Sequence, residues 1–531
     1  MSFSTVLSAV IQGLYVELVH VEADVSNGLP MFHMVGYLSS EVKEASERVR
    51  TAIRNSGIQM PAKKMVVNLA PATVRKRGAS FDLPIALAVL ASMGNFPDEG
   101  LKDTLVVGEL SLDGSVKEVS GVLPMVMQAR KEGVRRCILP RQNIREGALV
   151  QGMQVLGVSH LLDACRYLNK EQELSVLTGG IGYAASRRED GDREEEKRPV
   201  SSLVLERNKE ATVDYSDIQG QEAVKRAVEV AVAGGHNLMM VGPPGSGKSM
   251  IAKRVPTILP PPTLEESIEI TKIYSVLGMV NKEHPLMTGR PFRSVHHTVT
   301  KSALIGGGAF PVPGEISLAH GGVLFLDELA EFQKPVLEVL RQPLEEGKIR
   351  ITRNQGNFVF PADFILICAM NPCPCGNYPD YNRCTCTQAQ IQQYLLKVSQ
   401  PFLDRIDICV ETPRIEYKAL TDGKKQEGSD VIRDRVCAAR EVQQKRYEGR
   451  RILTNSMLAV SELKEFCKLG RREELLMRKA FISLGLTART YHKILKVART
   501  IADLEASVNI REHHLKEAIA YRIVDKKYWG R

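Results

Sequence analysis

Residues 242–249 read Gly-Pro-Pro-Gly-Ser-Gly-Lys-Ser, preceded by the apolar run Leu238–Val241 and followed by a helical pattern that opens at Lys248. This is the G-x4-G-K-[ST] spacing of a phosphate-binding loop, set between a strand and a helix as the chemistry requires. Glycines let backbone N–H groups close around phosphate oxygens, and the helix N-terminus adds its dipole. Lys248 is expected to reach the β- and γ-phosphates of a nucleotide, and the Ser249 hydroxyl to ligate Mg²⁺. Gly242, Pro243, Pro244, Gly245, Ser246, Gly247, Lys248 and Ser249 therefore form the candidate cradle.

Such a site needs a carboxylate for the magnesium ion. Gly322-Val-Leu-Phe-Leu326 is a buried-strand run that ends in Asp327-Glu328, which puts Asp327 where it can hold Mg²⁺ and Glu328 where it can polarise a water. A third apolar run, Phe364–Met370, ends in Asn371, which can orient that water or serve simply as the turn-starter of Asn-Pro. In Phe402-Leu-Asp-Arg405-Ile-Asp-Ile one arginine stands among apolar residues. It suits a finger offered to a neighbouring subunit's nucleotide, or an internal ion pair with Asp404 or Asp407. With a helix expected over Gln221–Ala233, residues 211–412 read as a parallel α/β nucleotide-binding core.

Both flanks differ from this core. Residues 1–175 alternate β-type and helical runs: β-type Ile11–Val25, a helix over Glu41–Asn55, β-type Met65–Leu69 and an apolar helix from Phe81 to about Ser92. Asp113-Gly114 marks a hairpin between Val106–Leu112 and Val116–Val119, and a helix follows over Val122–Lys131. Residues 176–210 read as a linker, because eleven of the twelve residues from Arg187 to Arg198 are charged and bury nothing. Residues 413–531 read as an all-helical lid, with helices over Asp430–Tyr447, Ser461–Lys468, Arg471–Leu484, Thr487–Leu504 and Arg511–Arg522.

The 531 residues, 44% hydrophobic and 25% charged, thus make an α/β multidomain protein of ordinary globular composition. The formal charge of +9 is unevenly placed: residues 413–531 hold 27 Lys/Arg against 16 Asp/Glu, and the rest of the chain is at −2. A basic tail fits a polyanion partner, or merely a solvated helical face. No apolar stretch has the length to span a bilayer and the N-terminus lacks a secretory pattern, so no membrane partner is expected. Ten cysteines without a disulfide-scaffold pattern fit a reducing compartment, and the expected location is cytoplasmic. Four of them, Cys373, Cys375, Cys384 and Cys386, form two Cys-x-Cys pairs in a polar loop. They can close a structural Zn²⁺ site, although each pair is tighter than the usual Cys-x2-4-Cys.

These elements in this order resemble the AAA+ ATPases. His296-His297-Thr, Ala303-Leu-Ile-Gly-Gly-Gly308, the run from Pro313 through Glu328, and Asn371-Pro-Cys-Pro-Cys-Gly376 are similar to the magnesium-chelatase-like branch. The front part, in Asn27-Gly-Leu-Pro-Met-Phe, Asn68-Leu-Ala-Pro-Ala, Phe81-Asp-Leu-Pro-Ile-Ala-Leu and Val107-Gly-Glu-Leu-Ser-Leu-Asp-Gly, resembles the ComM/YifB family. That resemblance implies a homohexameric, ATP- and Mg²⁺-dependent DNA motor that promotes branch migration in recombination and natural transformation. It assigns Lys248 and Ser249 to Walker A, Asp327 and Glu328 to Walker B, Asn371 to sensor 1, Arg405 to the arginine finger and Arg489 to a sensor-2 arginine that reaches the γ-phosphate from the lid. On the residues alone, Arg489 is a helix-surface cation.

By the same likeness, Gly306–Gly314 is a helix-2 insert and Lys348-Ile-Arg-Ile-Thr-Arg353, with Gly356 and Phe358, a presensor-1 hairpin. Arg353, Lys348 and Arg350 become the candidate DNA contacts, in what is otherwise an ordinary solvated hairpin. The front unit is also similar to the Lon protease domain, with Gly78-Ala-Ser80 where the serine of that family lies. Leu123 and Met125 occupy its lysine positions and Lys117 lies outside that helix, so no Ser-Lys dyad and no peptidase activity are expected. Two other functions are weighed against the DNA motor: the motor subunit of a metal-chelatase complex, whose relatives are expected to match only the middle and lid, and an ATP-dependent protease or remodeller.

Overall fold

A computed structural model describes residues 3–180, 213–354, 356–415, 417 and 426–529. The charged run Arg187–Arg198 lies outside the described residues.

The front unit is built on an eight-stranded mixed sheet, in the spatial order Val176–Thr178, Gln154–Val158, Arg136–Pro140, Thr104–Val106, Phe3–Gln12, Tyr15–Ser26, Lys64–Ala70 and Met31–Val35. The run Ile11–Val25, expected as one stretch, is divided between two strands. Gly13, at φ +67°, turns the chain so that Phe3–Gln12 pairs antiparallel with Tyr15–Ser26. A single glycine barely interrupts an apolar pattern, yet it supplies the left-handed conformation that a tight turn needs. The Asp113-Gly114 hairpin is shorter than the sequence implies, with Glu109–Leu110 on Val116–Lys117, because Thr104–Val106 is recruited to the large sheet. Strand Val176–Thr178 carries that sheet past residue 175. The helix Asp82–Ser92 is buried along its whole length, which explains why its sequence is apolar all round rather than on one stripe.

The second sheet is all-parallel, ordered Phe292–Val295, Val323–Leu326, Ile365–Met370, Leu238–Val241 and Ile408–Glu411. Val241 pairs with Met370 and with Glu411, so three of these strands end level, and Leu326 pairs with Cys368 beside them. The residues that follow, Gly242, Asp327 and Asn371, therefore emerge along one carboxyl edge, where ligands of open parallel sheets bind. Arg405 precedes Ile408 and belongs to the opposite, amino edge. There its carbonyl accepts from Asn237 Nδ2 at 3.1 Å, and Asn237 itself immediately precedes the strand Leu238–Val241.

The C-terminal part is helical: Ser429–Arg446, Val460–Phe466, Arg471–Ser483, Ala488–Leu504 and Glu512–Trp529. The last helix runs on to Trp529 instead of stopping near Arg522, because its end is held to the core by an indole hydrogen bond from Trp529 to Leu395 O at 3.0 Å. At the centre of these helices the fully buried Asp503 carboxylate takes Arg446 at 2.5 Å and Arg499 at 3.0 Å, together with Asn455 Nδ2 at 2.9 Å. Its charge is compensated from three sides, as a buried carboxylate requires.

The front unit packs on the core at several points. The Gly121 N–H donates to Ser275 O at 2.8 Å, and the Ser275 hydroxyl donates to buried Glu146. Gly13 approaches a separate two-stranded hairpin of the core, Lys348–Arg353 on Gly356–Pro361, so closely that a Cβ there would stand 3.0 Å from Phe358 Cδ1.

Candidate nucleotide site and its surroundings

The phosphate loop takes its shape from Gly245 and Gly247, at φ +75° and +88°. Lys248 opens the helix and folds back into the loop, where its ammonium donates to Gly242 O at 2.7 Å, Pro243 O at 2.8 Å and Asn371 Oδ1 at 3.3 Å. It is only 8% exposed, and burial pulls its pKa down to about 8, with the Asp327 carboxylate pulling the other way. The Ser249 hydroxyl donates to Asp327 Oδ2 at 2.5 Å, so the two expected magnesium ligands already touch. Hard oxygen donors of this kind suit Mg²⁺, which usually keeps its remaining positions for water and phosphate.

Glu328 sits next to Asp327 in a left-handed conformation, φ +52°, and projects into solvent. A non-glycine residue at positive φ is strained, and strain of this kind gathers at functional sites. His297 lies beside it, with Nδ1 3.2 Å from Glu328 Oε2, and stacks on His296 at 4.0 Å. This neighbour was not read from the sequence. The available signal was positional: His297 follows Phe292–Val295, the strand that pairs with Val323–Leu326. Gln221 was also missed. Its side chain donates to Ser246 O at 3.2 Å and Pro413 O at 2.6 Å, bracing the loop against the segment that leads into the helical region.

Arg405 and Arg489 are placed together, away from the phosphate loop. The Arg405 guanidinium pairs with Glu345 and Pro401 O, and with neither Asp404 nor Asp407. Asp407 instead faces Lys493 at 3.1 Å. Asp404 takes Arg489 at 3.4 Å, and Arg489 is largely exposed. Among the described residues Arg489 forms no hydrogen bond or ion pair with the phosphate loop. Its partner Asp404 directly precedes Arg405, whose carbonyl is held by Asn237 at the amino edge of the sheet.

The four loop cysteines converge. Sγ separations are 3.4 Å for Cys373–Cys375, 3.8 Å for Cys373–Cys384 and 3.6 Å for Cys375–Cys384, and the four sulfurs with Cys386 lie within 4.8 Å of one another. Zinc held at ~2.3 Å from four thiolates needs sulfur–sulfur edges of about 3.8 Å. The residues present therefore fit the ion. N–H donors from Tyr378 to Cys373 at 3.4 Å and from Asn377 to Cys375 at 3.8 Å are the outer-shell contacts such a site uses. The loop also abuts the phosphate loop: a Cβ on Gly376 would stand 2.4 Å from Pro244 Cδ.

A second cluster, Glu505 with His513 and His514, has a different character. His514 Nδ1 accepts the Arg511 N–H at 2.9 Å, which leaves the ring proton on Nε2, where it meets Glu505. A ring in that tautomer is a donor to the carboxylate and has no lone pair there for a metal.

The hairpin Lys348–Arg353 pairs with Gly356–Pro361 and buries Ile349, Ile351, Phe358 and Phe360, leaving Arg350 and Arg353 outside. Arg350 is engaged by Glu346 at 3.3 Å. Gly306–Gly314 forms a two-rung ladder, Gly306–Gly307 on Val312–Pro313, with Phe310 in its loop.

A phosphate loop, a strand ending in Asp-Glu and a strand ending in Asn, aligned at one edge of a parallel sheet with a helical region behind, define a P-loop ATPase core of the AAA+ class. The comparisons agree. The family described as magnesium chelatase, subunit ChlI, matches residues 214–420, and its C-terminal counterpart matches 426–522. A family described as subunit ChlI of Mg-chelatase matches 21–143, so the front unit does not by itself separate this chain from chelatase subunits, contrary to expectation. Competence protein ComM of Haemophilus influenzae is 41% identical over 523 residues, covering 98% of both chains. YifB of Escherichia coli is 40% identical over 533 residues, covering 99% of this chain and 98% of its own. DNA repair protein RadA of Escherichia coli is 34% identical over 111 residues, 21% of this chain and 23% of its own. The chain belongs to the ComM/YifB family of magnesium-chelatase-like AAA+ ATPases. Among the described residues no helix is long and apolar enough to cross a membrane.

Proposed function

We propose that the protein is an ATP-driven DNA motor that works as a ring, in keeping with a hexamer, and moves branched DNA during recombination and DNA uptake. Within each subunit Lys248 holds the β- and γ-phosphates, Ser249 and Asp327 hold Mg²⁺, Asn371 and Glu328 place and polarise the attacking water, and the bound ion neutralises charge on the phosphates. Arg405 and Arg489 complete the site of the next subunit.

The observation that supports this reading is the place of Arg405 at the amino edge, its carbonyl on Asn237 and Arg489 on the adjacent Asp404, while the loop opens at the carboxyl edge. Arg489 is largely exposed, and Arg405 would exchange its Glu345 partner for a neighbour's phosphate. The name of the Haemophilus relative and the partial likeness to a DNA repair protein support DNA as the substrate. Arg353 then grips phosphates from the hairpin, with Lys348 and Arg350 beside it. The four cysteines hold a structural Zn²⁺ that fixes the loop between Asn371 and Pro244. The front unit has a Lon-type fold without the dyad: Leu123 and Met125 are buried in the core, which suits assembly or DNA handling. Cysteines free of disulfides support a cytoplasmic setting.

The test is ATP turnover by the purified chain alone, with forked or four-way DNA, and with peptides. DNA is expected to accelerate turnover and to drive strand exchange in the branched substrate. No acceleration and no exchange would leave the chelatase-type motor, favoured by the family descriptions, as the better reading; peptide hydrolysis would restore the protease.

A further inference from the structure

The segment Arg75-Lys76-Arg77 of the front unit is held extended. The Lys76 N–H donates to Tyr37 O at 2.9 Å, and Lys76 O accepts from the Ser39 N–H at 3.0 Å, a single parallel bridge between Leu38 and Lys76. Side chains alternate along an extended chain. Lys76 therefore turns inward, fully buried with its ammonium on Pro71 O, and Arg75 and Arg77 emerge together on the other face. Both guanidiniums lie over the ring of Phe310, Arg75 at 5.1 Å from its centroid and Arg77 directly against it. Arg353 reaches the same loop from the hairpin, with Nε 3.5 Å from Gly308 O. Three arginines from two units thus meet at one loop, two of them over its aromatic ring.

Among the described residues none of the three forms an ion pair. Arg75 Nε is buried without a hydrogen-bond partner. The acid nearest Arg77, Glu41, is occupied by the Gly78 N–H at 3.3 Å and by Ser39 Oγ at 3.2 Å. Burial and the charge of Arg75 lower the Arg77 pKa to about 10. Like charges gathered with no ion pair, opposed only by the Glu41 carboxylate, are what a bound anion relieves. A bidentate guanidinium–phosphate contact is also stronger than a cation resting on a ring, so a phosphodiester can displace the closed arrangement and free the ring for a base. Duplex DNA offers only phosphates; an unpaired strand offers both groups.

We propose that Arg75, Arg77, Arg353 and Phe310 form a single-stranded DNA site at the boundary between the front unit and the ATPase core, with the arginines on phosphates and Phe310 stacked on a base. This rests on the DNA-motor reading and names the strand and the residues. It also makes strand capture the event that releases the Gly306–Gly314 loop from the front unit.

The test is fluorescence anisotropy of a labelled oligothymidylate with the full chain across a salt series. Arg75→Gln with Arg77→Gln is expected to weaken binding about tenfold or more, and to flatten the log–log salt slope by about 1.4, at ~0.7 per lost phosphate contact. ATP turnover without DNA should stay at the wild-type rate. Phe310→Ala should lower affinity for the single strand with the salt slope kept, and leave duplex affinity unchanged. If the double variant fails to fold, seen as loss of basal turnover, Phe310→Ala decides alone. Wild-type affinity and slope in the double variant, or an equal loss on duplex and single strand in Phe310→Ala, overturns the proposal. Wild-type protein that binds no DNA of any form overturns the motor reading itself, a distinct outcome.

Discussion

The phosphate loop makes a prediction about pH. Lys248 is buried among neutral acceptors, Gly242 O, Pro243 O and Asn371 Oδ1, with Asp327 as the nearby opposite charge. Its pKa falls from the ordinary 10.5 to about 8, so without nucleotide the ammonium is lost as pH rises through 8. A triphosphate restores the charge by direct contact, and above pH 8 binding must then take up a proton. For a group of pKa about 8 the protonated fraction is ~0.9 at pH 7 and ~0.09 at pH 9, so affinity for Mg²⁺ and a non-hydrolysable ATP analogue should fall about tenfold between them. A lysine left at its ordinary value would change affinity by only a few per cent. Stability of the nucleotide-free protein runs the other way. The folded pKa lies below the unfolded one, the unfolded chain binds more protons between about pH 8 and 10.5, and folding gains from Lys248 as pH rises through that window. Titration calorimetry at both pH values, in buffers of different ionisation enthalpy, reads affinity and proton uptake together. Lys248→Arg, whose guanidinium stays charged, should bind more weakly but with no pH dependence over this range. Equal affinity at pH 7 and 9 with no proton uptake by the wild type would refute the reasoning.

Metal analysis of the purified protein should find about one zinc per chain, and Cys384→Ser should lose it. Because a side chain at Gly376 collides with Pro244 and the residue lies at φ +78°, Gly376→Ala should weaken nucleotide binding several-fold while zinc content stays at the wild-type level. Arg405→Ala should bind nucleotide normally and turn it over at background. Mixed with Lys248→Ala, which supplies an intact finger, it should recover a fraction of wild-type turnover; no recovery at any ratio would argue against action between subunits.

The core was legible because its signals are local. An apolar run followed by a glycine-rich turn, or by a single acid or amide, identifies a strand and its end, and parallel strands bring those ends to one edge. Asp327 and Asn371 could therefore be placed beside Lys248 from their positions alone. The cysteine cluster was legible as four thiols but ambiguous in spacing, since whether Cys373 and Cys384 lie 3.8 Å apart depends on how the loop closes. The partners of arginines were not legible. Arg405 had Asp404 and Asp407 within two residues and pairs instead with Glu345 on the helix Arg341–Glu346, sixty residues earlier. His297 beside Glu328, and Phe310 beneath Arg75 and Arg77, are likewise contacts between segments distant in sequence.

The same non-local pairing changes the meaning of the basic tail. Arg446 and Arg499 are bound to Asp503, Lys493 to Asp407, Arg435 to Glu229 and Glu427, and Arg522 to Asp525 and Ile406 O. Five cations of the tail are thus committed to holding the helices to one another and to the core, where a phosphate would have to break an ion pair to reach them. Among the described residues Arg75, Arg77 and Arg353 form no such pairs, in a stretch of chain whose net charge is negative. A polyanion reads the local absence of a counter-charge and not the sum over a domain. On the proposed DNA-motor reading, the residues best able to hold DNA therefore lie at the junction of the front unit and the core, on the segment Arg75–Arg77 and the hairpin strand that ends in Arg353.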